Sequence, residues 1–341
     1  MLQPASLADL PAFRCAHAED ASAGTGCTVV VAPAGATCGV DVRGGGPATR
    51  ETDLLKPENM IEAVHAVVLS GGSAFGLAAS TGVMDELAAR GIGFPVESAR
   101  VPIVVGACLF DLLVGQNAHP DAAMGRRAAA AAFERDTAEP LAEGNVGAGC
   151  GASVGKLLGG DRAMKAGLGV CGLRLGELVA CALVAVNALG NVRDASGAWI
   201  AGCCDDEGRV MDPLDAFAAL AHQAADAASA ATGKGEDAVD PAAGPCANTT
   251  IGVVLTNARL TKAQATKVSS TVHDAYARAI KPVHTSGDGD TVFTFASGEV
   301  PADYDLTAIL ATEAMQGALE RAVTQASGAY GLPAAGDRPA R

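Results

Sequence analysis

Between residues 248 and 249 the chain changes character across a single peptide bond. Gly233–Asn248 (GKGEDAVDPAAGPCAN) is rich in Gly, Pro, Ala and acidic residues, has no periodicity, and reads as a mobile surface linker. Thr249-Thr250-Ile251-Gly252-Val253-Val254-Leu255 then has the pattern of a buried strand. A flexible tail thus runs straight into a core strand that opens on a hydroxyl residue. A linker between two half-domains accounts for the same pattern, so the junction needs a chemical reading as well as a structural one.

The rest of the chain must supply the core for that strand. Further β-type runs occur at Cys27–Ala32, Ala66–Leu69, Val101–Gly106, Leu178–Asn187 and Thr291–Ala296. Helical periodicity covers Ser73–Arg90, with Leu77, Met84 and Leu87 near one face and Gly91 as the C-cap. It returns over Thr261–Ile280 and Leu306–Val323. The elements do not alternate as strict βαβ units, so sheet layers covered by helices fit better than a Rossmann fold. Aromatics are only 4% of residues, and Ala, Val, Leu and 42 Gly do the packing. Such a core requires layers that approach each other closely.

Composition also bounds the partners. A net charge of −14 repels phosphate backbones and argues against nucleic acid. No apolar run is long enough for a membrane span, and the first twenty residues lack the regions of a signal peptide. The 10 cysteines are scattered without a C-x-x-C pair, and most lie in apolar segments. They read as free thiols of a cytoplasmic protein. The 6 histidines are dispersed too, so neither a metal nor a cofactor is expected.

Thr249 is where the junction becomes chemistry. A threonine hydroxyl holds its proton too tightly to attack a carbonyl at neutral pH. Cutting the preceding bond would give Thr249 an α-amino group with a pKa of about 7.7–8.0. That amine is a base within the same residue, able to take the hydroxyl proton. Two other motifs fail on inspection. Phe75 stands at the second glycine of a G-x-S-x-G elbow around Ser73. Gly155-Lys156 lacks the first glycine and the Ser/Thr of a P-loop.

Five segments occur in order: LSGGSAFGLAAS (69–80), VPIVVGACLFDLLVG (101–115), GNVGAGCGASVGKL (144–157), NTTIGVVLTNARL (248–260) and HTSGDGDTVFTF (284–295). Together they resemble the DmpA-type N-terminal-nucleophile peptidases of family S58, over about residues 25 to 325. That family includes L-aminopeptidases/D-esterases, β-peptidyl aminopeptidases and nylon-oligomer hydrolases. The resemblance implies an α+β fold, an αββα sandwich similar to ornithine acetyltransferase, formed by one catalytic domain over residues 1–341. It implies self-cleavage between Asn248 and Thr249 into chains 1–248 and 249–341, and a homotetramer of cleaved protomers.

The resemblance also assigns roles. Thr249 matches the nucleophile and Lys156 a lysine near it, where a cation lowers the pKa of the new amine. Asn187 matches the oxyanion donor, since acyl transfer needs a neutral N–H aimed at the developing charge. Asp288 and Asp290, two apart in GDGD, match acidic groups that orient the amine and manage protons. An Asp-Gly turn or a calcium loop are the plainer readings of GDGD, and the remaining EF-hand positions are absent. Ser73 and Phe110 fall at substrate-binding positions. Asn248-Thr249 and the Asp pair resemble the nylon-hydrolase branch. Phe110, where tyrosine can stand, and Ser286, where aspartate can stand, depart from it. The expected activity is removal of an N-terminal residue from a small peptide or amide. Hydrolysis of 6-aminohexanoate oligomers and acetyl transfer of the ornithine-acetyltransferase type are the alternatives.

Overall fold

Ten strands carry the architecture: β1 (Leu2–Ala5), β2 (Arg14–Asp20), β3 (Thr25–Val42), β4 (Ala48–Arg50), β5 (Val64–Ser70), β6 (Val104–Cys108), β7 (Leu168–Leu175), β8 (Leu178–Asn187), β9 (Thr249–Ala258) and β10 (Thr291–Val300). The computed structural model describes residues 1–231 and 248–337. One layer runs β1-β7-β8-β9-β10-β3 and the other runs β2-β3-β5-β6-β4. The long β3 belongs to both. Thr25–Val31 pairs with β2, and Thr37–Val42 pairs with β10. Between these halves the register against β5 breaks from Val31 to Ala36, across Pro33 and a Gly35 at φ +79°. Only glycine holds that backbone without strain.

Alternation along the strands sorts the side chains into three cores. Val179, Cys181, Leu183, Ile251, Val253, Leu255, Phe293 and Phe295 point between the layers, where they meet Val30, Val67, Leu69 and Val105 of the second sheet. Their neighbours Ala180, Ala182, Val184, Val254 and Val292 face outward onto α4 (Lys262–Ala279) and α5 (Tyr304–Thr324). On the far side, Val29, Val31, Ala66 and Val68 face α1 (Ala78–Ala89) and α2 (Ala122–Glu134). Helix, sheet, sheet, helix: the four layers form the αββα sandwich expected from the sequence. A further helix, α3, spans Pro213–Ala231.

Glycine makes the close approaches that a core poor in aromatics requires. A Cβ on Gly82 would strike the Ala122 carbonyl, and one on Gly125 would strike the Ala79 carbonyl, so α1 and α2 cross through reciprocal notches. Side-chain caps fix the helix starts. Thr261 and Gln264 form a capping box on α4, and Asp303 caps α5 through the Asp305 and Leu306 N–H groups.

Several boundaries differ from the sequence expectation. The strand expected over Val101–Gly106 is two: Ala99–Val101 pairs with Phe94–Val96, and Val104–Cys108 enters the sheet after Pro102. The helix expected over Ser73–Arg90 begins as a 3-10 turn at Ser73–Leu77. Strands β2 and β7 and helices α2 and α3 were not expected at all. The linker expected over 233–248 lies, apart from Asn248, outside the described residues, as does Cys246. The nine described cysteines are all free thiols. Among the described residues no helix is long and apolar enough to cross a membrane.

Candidate active site

Strand topology brings the candidate residues together. Strands β8 and β9 are antiparallel and in register, so Asn187, the last residue of β8, lies opposite Thr249, the first of β9. Strands β9 and β10 are parallel, which sets the segment leading into β10 beside the entry to β9. Asn248 accordingly bridges to Asp288, and the Thr250 N–H donates to Asp290 Oδ1 at 2.7 Å. Lys156 arrives from a different loop, pinned where the Gly155 and Lys156 N–H groups donate to the Gly190 and Leu189 carbonyls. Five residues separated by up to 134 positions thereby converge at one end of the central strands.

Thr249 itself is only 4% exposed. Its hydroxyl donates to the carbonyl of Asn248, the residue it follows, and accepts the Gly289 N–H at 3.0 Å. A Cβ on Gly289 would press on this hydroxyl, so the backbone can reach Thr249 only because residue 289 is glycine. Asn187 is fully buried, and its amide orientation is set from both ends. Oδ1 accepts Lys156 Nζ at 2.8 Å and the Ser153 N–H at 3.0 Å, while Nδ2 donates to the Phe110 carbonyl at 2.8 Å.

Charge is unusual here. Lys156 keeps some exposed surface at a cavity wall, but protein surrounds its ammonium. That burial pushes it down to about 7, against the opposing pull of Asp288 and Asp111. Lys156 is therefore partly neutral near pH 7, where the sequence reading had a plain cation. Burial, then the charge of Asp290, pushes the Asp288 carboxyl above the ordinary carboxylate range. Asp288 Oδ2 accepts the Thr285 N–H at 2.6 Å, and Oδ1 is buried with no partner among the described residues. Asp290 Oδ2 accepts both the backbone N–H of His284 at 3.1 Å and its Nδ1 at 2.8 Å.

A cavity of about 670 Å³ opens beside this cluster. Phe110, Ser153, Lys156 and Asn248 form part of its wall, with apolar surface from Leu113, Leu157, Phe217 and Leu220. Asn248 fronts the cavity and Thr249 lies behind it. Ser73 does not line this cavity. Its N–H donates to the Leu109 carbonyl, and the adjacent Gly72 N–H holds Asp111 Oδ1 at 2.6 Å. A second cavity, of about 330 Å³, lies by Leu7, Glu143 and Arg321, away from these groups. Among the described residues no three His, Cys, Asp or Glu side chains cluster as metal ligands.

The family model for peptidase family S58 matches residues 5–330. The chain belongs to peptidase family S58. A relative from Mycobacterium tuberculosis named as an uncharacterized aminopeptidase is 40% identical over 322 residues, 90% of this chain and 86% of its own length. A 6-aminohexanoate-oligomer endohydrolase from Paenarthrobacter ureafaciens is 31% identical over 298 residues, 86% of this chain and 75% of its own. Among solved structures, a Burkholderia β-aminopeptidase superposes with a TM-score of 0.63 at 20% identity, covering 96% of this chain and 89% of that one. The L-aminopeptidase D-Ala-esterase/amidase of Ochrobactrum anthropi, described as a variant of the Ntn hydrolase fold, gives 0.63 at 15% identity, with 94% and 86% covered. S58 membership supports hydrolysis of peptide or amide bonds as the chemistry.

Four groups of this candidate site were missed in the sequence. Ser153 and Asp111 are buried, and burial raises the Asp111 carboxyl to about 6. His284 sits on Asp290, and the Gly289 N–H reaches the Thr249 hydroxyl. Their partners lie up to 86 residues away or on the backbone, so no local pattern announces them. For His284 the one signal was its place at the start of the HTSGDGD segment.

Proposed function

We propose that this S58 protein is a self-processing N-terminal threonine hydrolase, acting as an aminopeptidase on small peptides or amides. The observation that carries the reading is the hydroxyl of Thr249, buried at the head of the central strand and set against the carbonyl of the bond to be cut. In self-cleavage, Thr249 Oγ attacks the Asn248 carbonyl carbon, and the C–N bond breaks to leave an ester and a free Thr249 amine. Water then hydrolyses the ester, releasing the Asn248 carboxylate and regenerating the hydroxyl. The neutral fraction of Lys156 is the candidate base for the first step.

In turnover, the Thr249 amine takes the hydroxyl proton as Oγ attacks the substrate carbonyl. The Asn187 amide and neighbouring backbone N–H groups stabilise the oxyanion. The amine's proton passes to the departing amine of the substrate, and water frees the acyl group from Thr249. Asp288 and Asp290 flank the new α-amine and orient it. Removal of Asn248 from the front of Thr249 opens the nucleophile to the cavity, and both chains stay in one core because β9 is buried along its whole length and apolar through its middle. A tetramer of cleaved protomers belongs to the same reading.

Hydrolysis of 6-aminohexanoate oligomers is the second reading, favoured by the 31% identical relative and by the buried Asp pair. Incubating the cleaved protein with L-amino-acid p-nitroanilides and, separately, with 6-aminohexanoate oligomers distinguishes the two. Release of p-nitroaniline with no oligomer cleavage supports the aminopeptidase; the reverse overturns it.

A further inference from the structure

Beside the carboxylates, on the side of α4, lies a buried polar cluster that the chemistry above does not use. His273 and Tyr276 are fully buried on α4. The His284 ring lies 4.8 Å from His273, edge to face, and 6.1 Å from Tyr276, nearly parallel. Each ring ends in a buried polar atom with no partner among the described residues: His273 Nδ1, Tyr276 Oη and His284 Nε2. A structural cluster normally satisfies such atoms, because each one left buried and unpaired is costly. His284 is further held at φ +57°, a conformation that non-glycine residues seldom adopt.

This arrangement aims His284 Nδ1 at Asp290. Facing a carboxylate oxygen at 2.8 Å, Nδ1 is the donor, and the other ring nitrogen, Nε2, is the one left without a partner among the described residues. The other oxygen of Asp290 accepts the Thr250 N–H, one residue from the nucleophile. Two carboxylates, Asp288 and Asp290, would stabilise an ammonium at Thr249 and so spoil it as a base. Hydrogen bonds from His284 to Asp290 draw off part of that negative charge. The other titratable or charged groups around this end of β9 are Lys156 facing Asp288 with Asp111 beyond it, Tyr276 and His273 from α4, and, beyond His273, Asp41 of β3 and Arg43 just after that strand.

We propose that His284 is a positioning residue: held by His273 and Tyr276, it ties down Asp290 so that the Thr249 amine freed by cleavage stays in its neutral, proton-accepting form. This rests on the cleavage at Thr249 proposed above. The test reads the amine directly and needs no substrate. The cleaved protein is acetylated with trace acetic anhydride across pH, and the labelling of the Thr249 peptide is followed by mass spectrometry. His284→Asn keeps an N–H near the position of Nδ1; His284→Gln moves it away, and His284→Phe removes it.

Wild type and His284→Asn are expected to share one midpoint, with Gln and Phe displaced upward by about one pH unit, a tenfold loss of neutral amine below the midpoint. The Gln and Phe variants carry the same expectation independently, so one folded example suffices. Equal midpoints in all forms would overturn the proposal and leave His284 as packing. Absence of a Thr249 N-terminus in wild type would instead overturn the cleavage reading.

Discussion

The two ends of β9 carry nearly the same residue types and do different things. At the far end, Thr256 and Asn257 are buried and fully occupied. Thr256 Oγ1 donates to the Val179 carbonyl at 2.7 Å, and Asn257 accepts the Val179 N–H and donates to the Glu177 carbonyl. At the near end, Asn248, Thr249 and Thr250 are equally buried, but Asn248 Oδ1 and Thr250 Oγ1 have no partner among the described residues. Two carboxylates and a lysine gather there. The far end stitches β9 to β8, and the near end holds unsatisfied polar groups in a low-dielectric setting. That is the condition under which a hydroxyl, an amide and a carboxylate do chemistry and not merely packing.

Substitutions at the two ends should therefore fail in different ways. The largest effect is expected from Thr249→Ala, which leaves the 341-residue chain whole and abolishes amide hydrolysis while the fold persists; cleavage at the same bond would break the comparison. Asn187→Ala, across from Thr249, should lower kcat by about 10²–10³. A rate equal to wild type would take Asn187 out of the site.

Asn257→Ala tests the other end. It leaves the Val179 N–H and Glu177 carbonyl unpaired and should reduce stability by about 1–3 kcal/mol. Denaturant unfolding in the uncut Thr249→Ala background measures this, and self-cleavage of the otherwise unaltered Asn257→Ala chain should stay complete. The smallest effect concerns Asp288. Its carboxyl is pushed upward in the folded chain, so its ionised form disfavours folding at neutral pH. In the same background, Asp288→Asn should stabilise the fold near pH 7, and the gain should vanish as pH falls through the ordinary carboxylate range. A gain that persists in acid would point to packing.

The sequence made the strands at Leu178–Asn187 and Thr249 onward visible because they are apolar on both faces, as central strands of a sandwich must be. Helix α2 (AAMGRRAAAAAFE) went unread because its buried face is mostly alanine and contrasts little with the rest. The sharing of β3 between two sheets was also hidden, since Pro33 and Gly35 interrupt its run of strand-forming residues. In the site, Lys156, Asn187, Asp288 and Asp290 were legible through the resemblance, and the structure brings all four to one end of β9. Asp111, Ser153 and His284 were not legible, because each becomes notable only through a burial or a partner that folding creates. Ser73 was expected near the substrate and lies behind Asp111, out of the cavity wall.

The central claim is the break at Thr249. Intact mass and N-terminal sequencing of the purified protein test it most directly. The expected result is two chains, the smaller beginning Thr-Thr-Ile-Gly. A chain that hydrolyses amides while remaining whole, or one cut so that its new N-terminus is another residue, would contradict it.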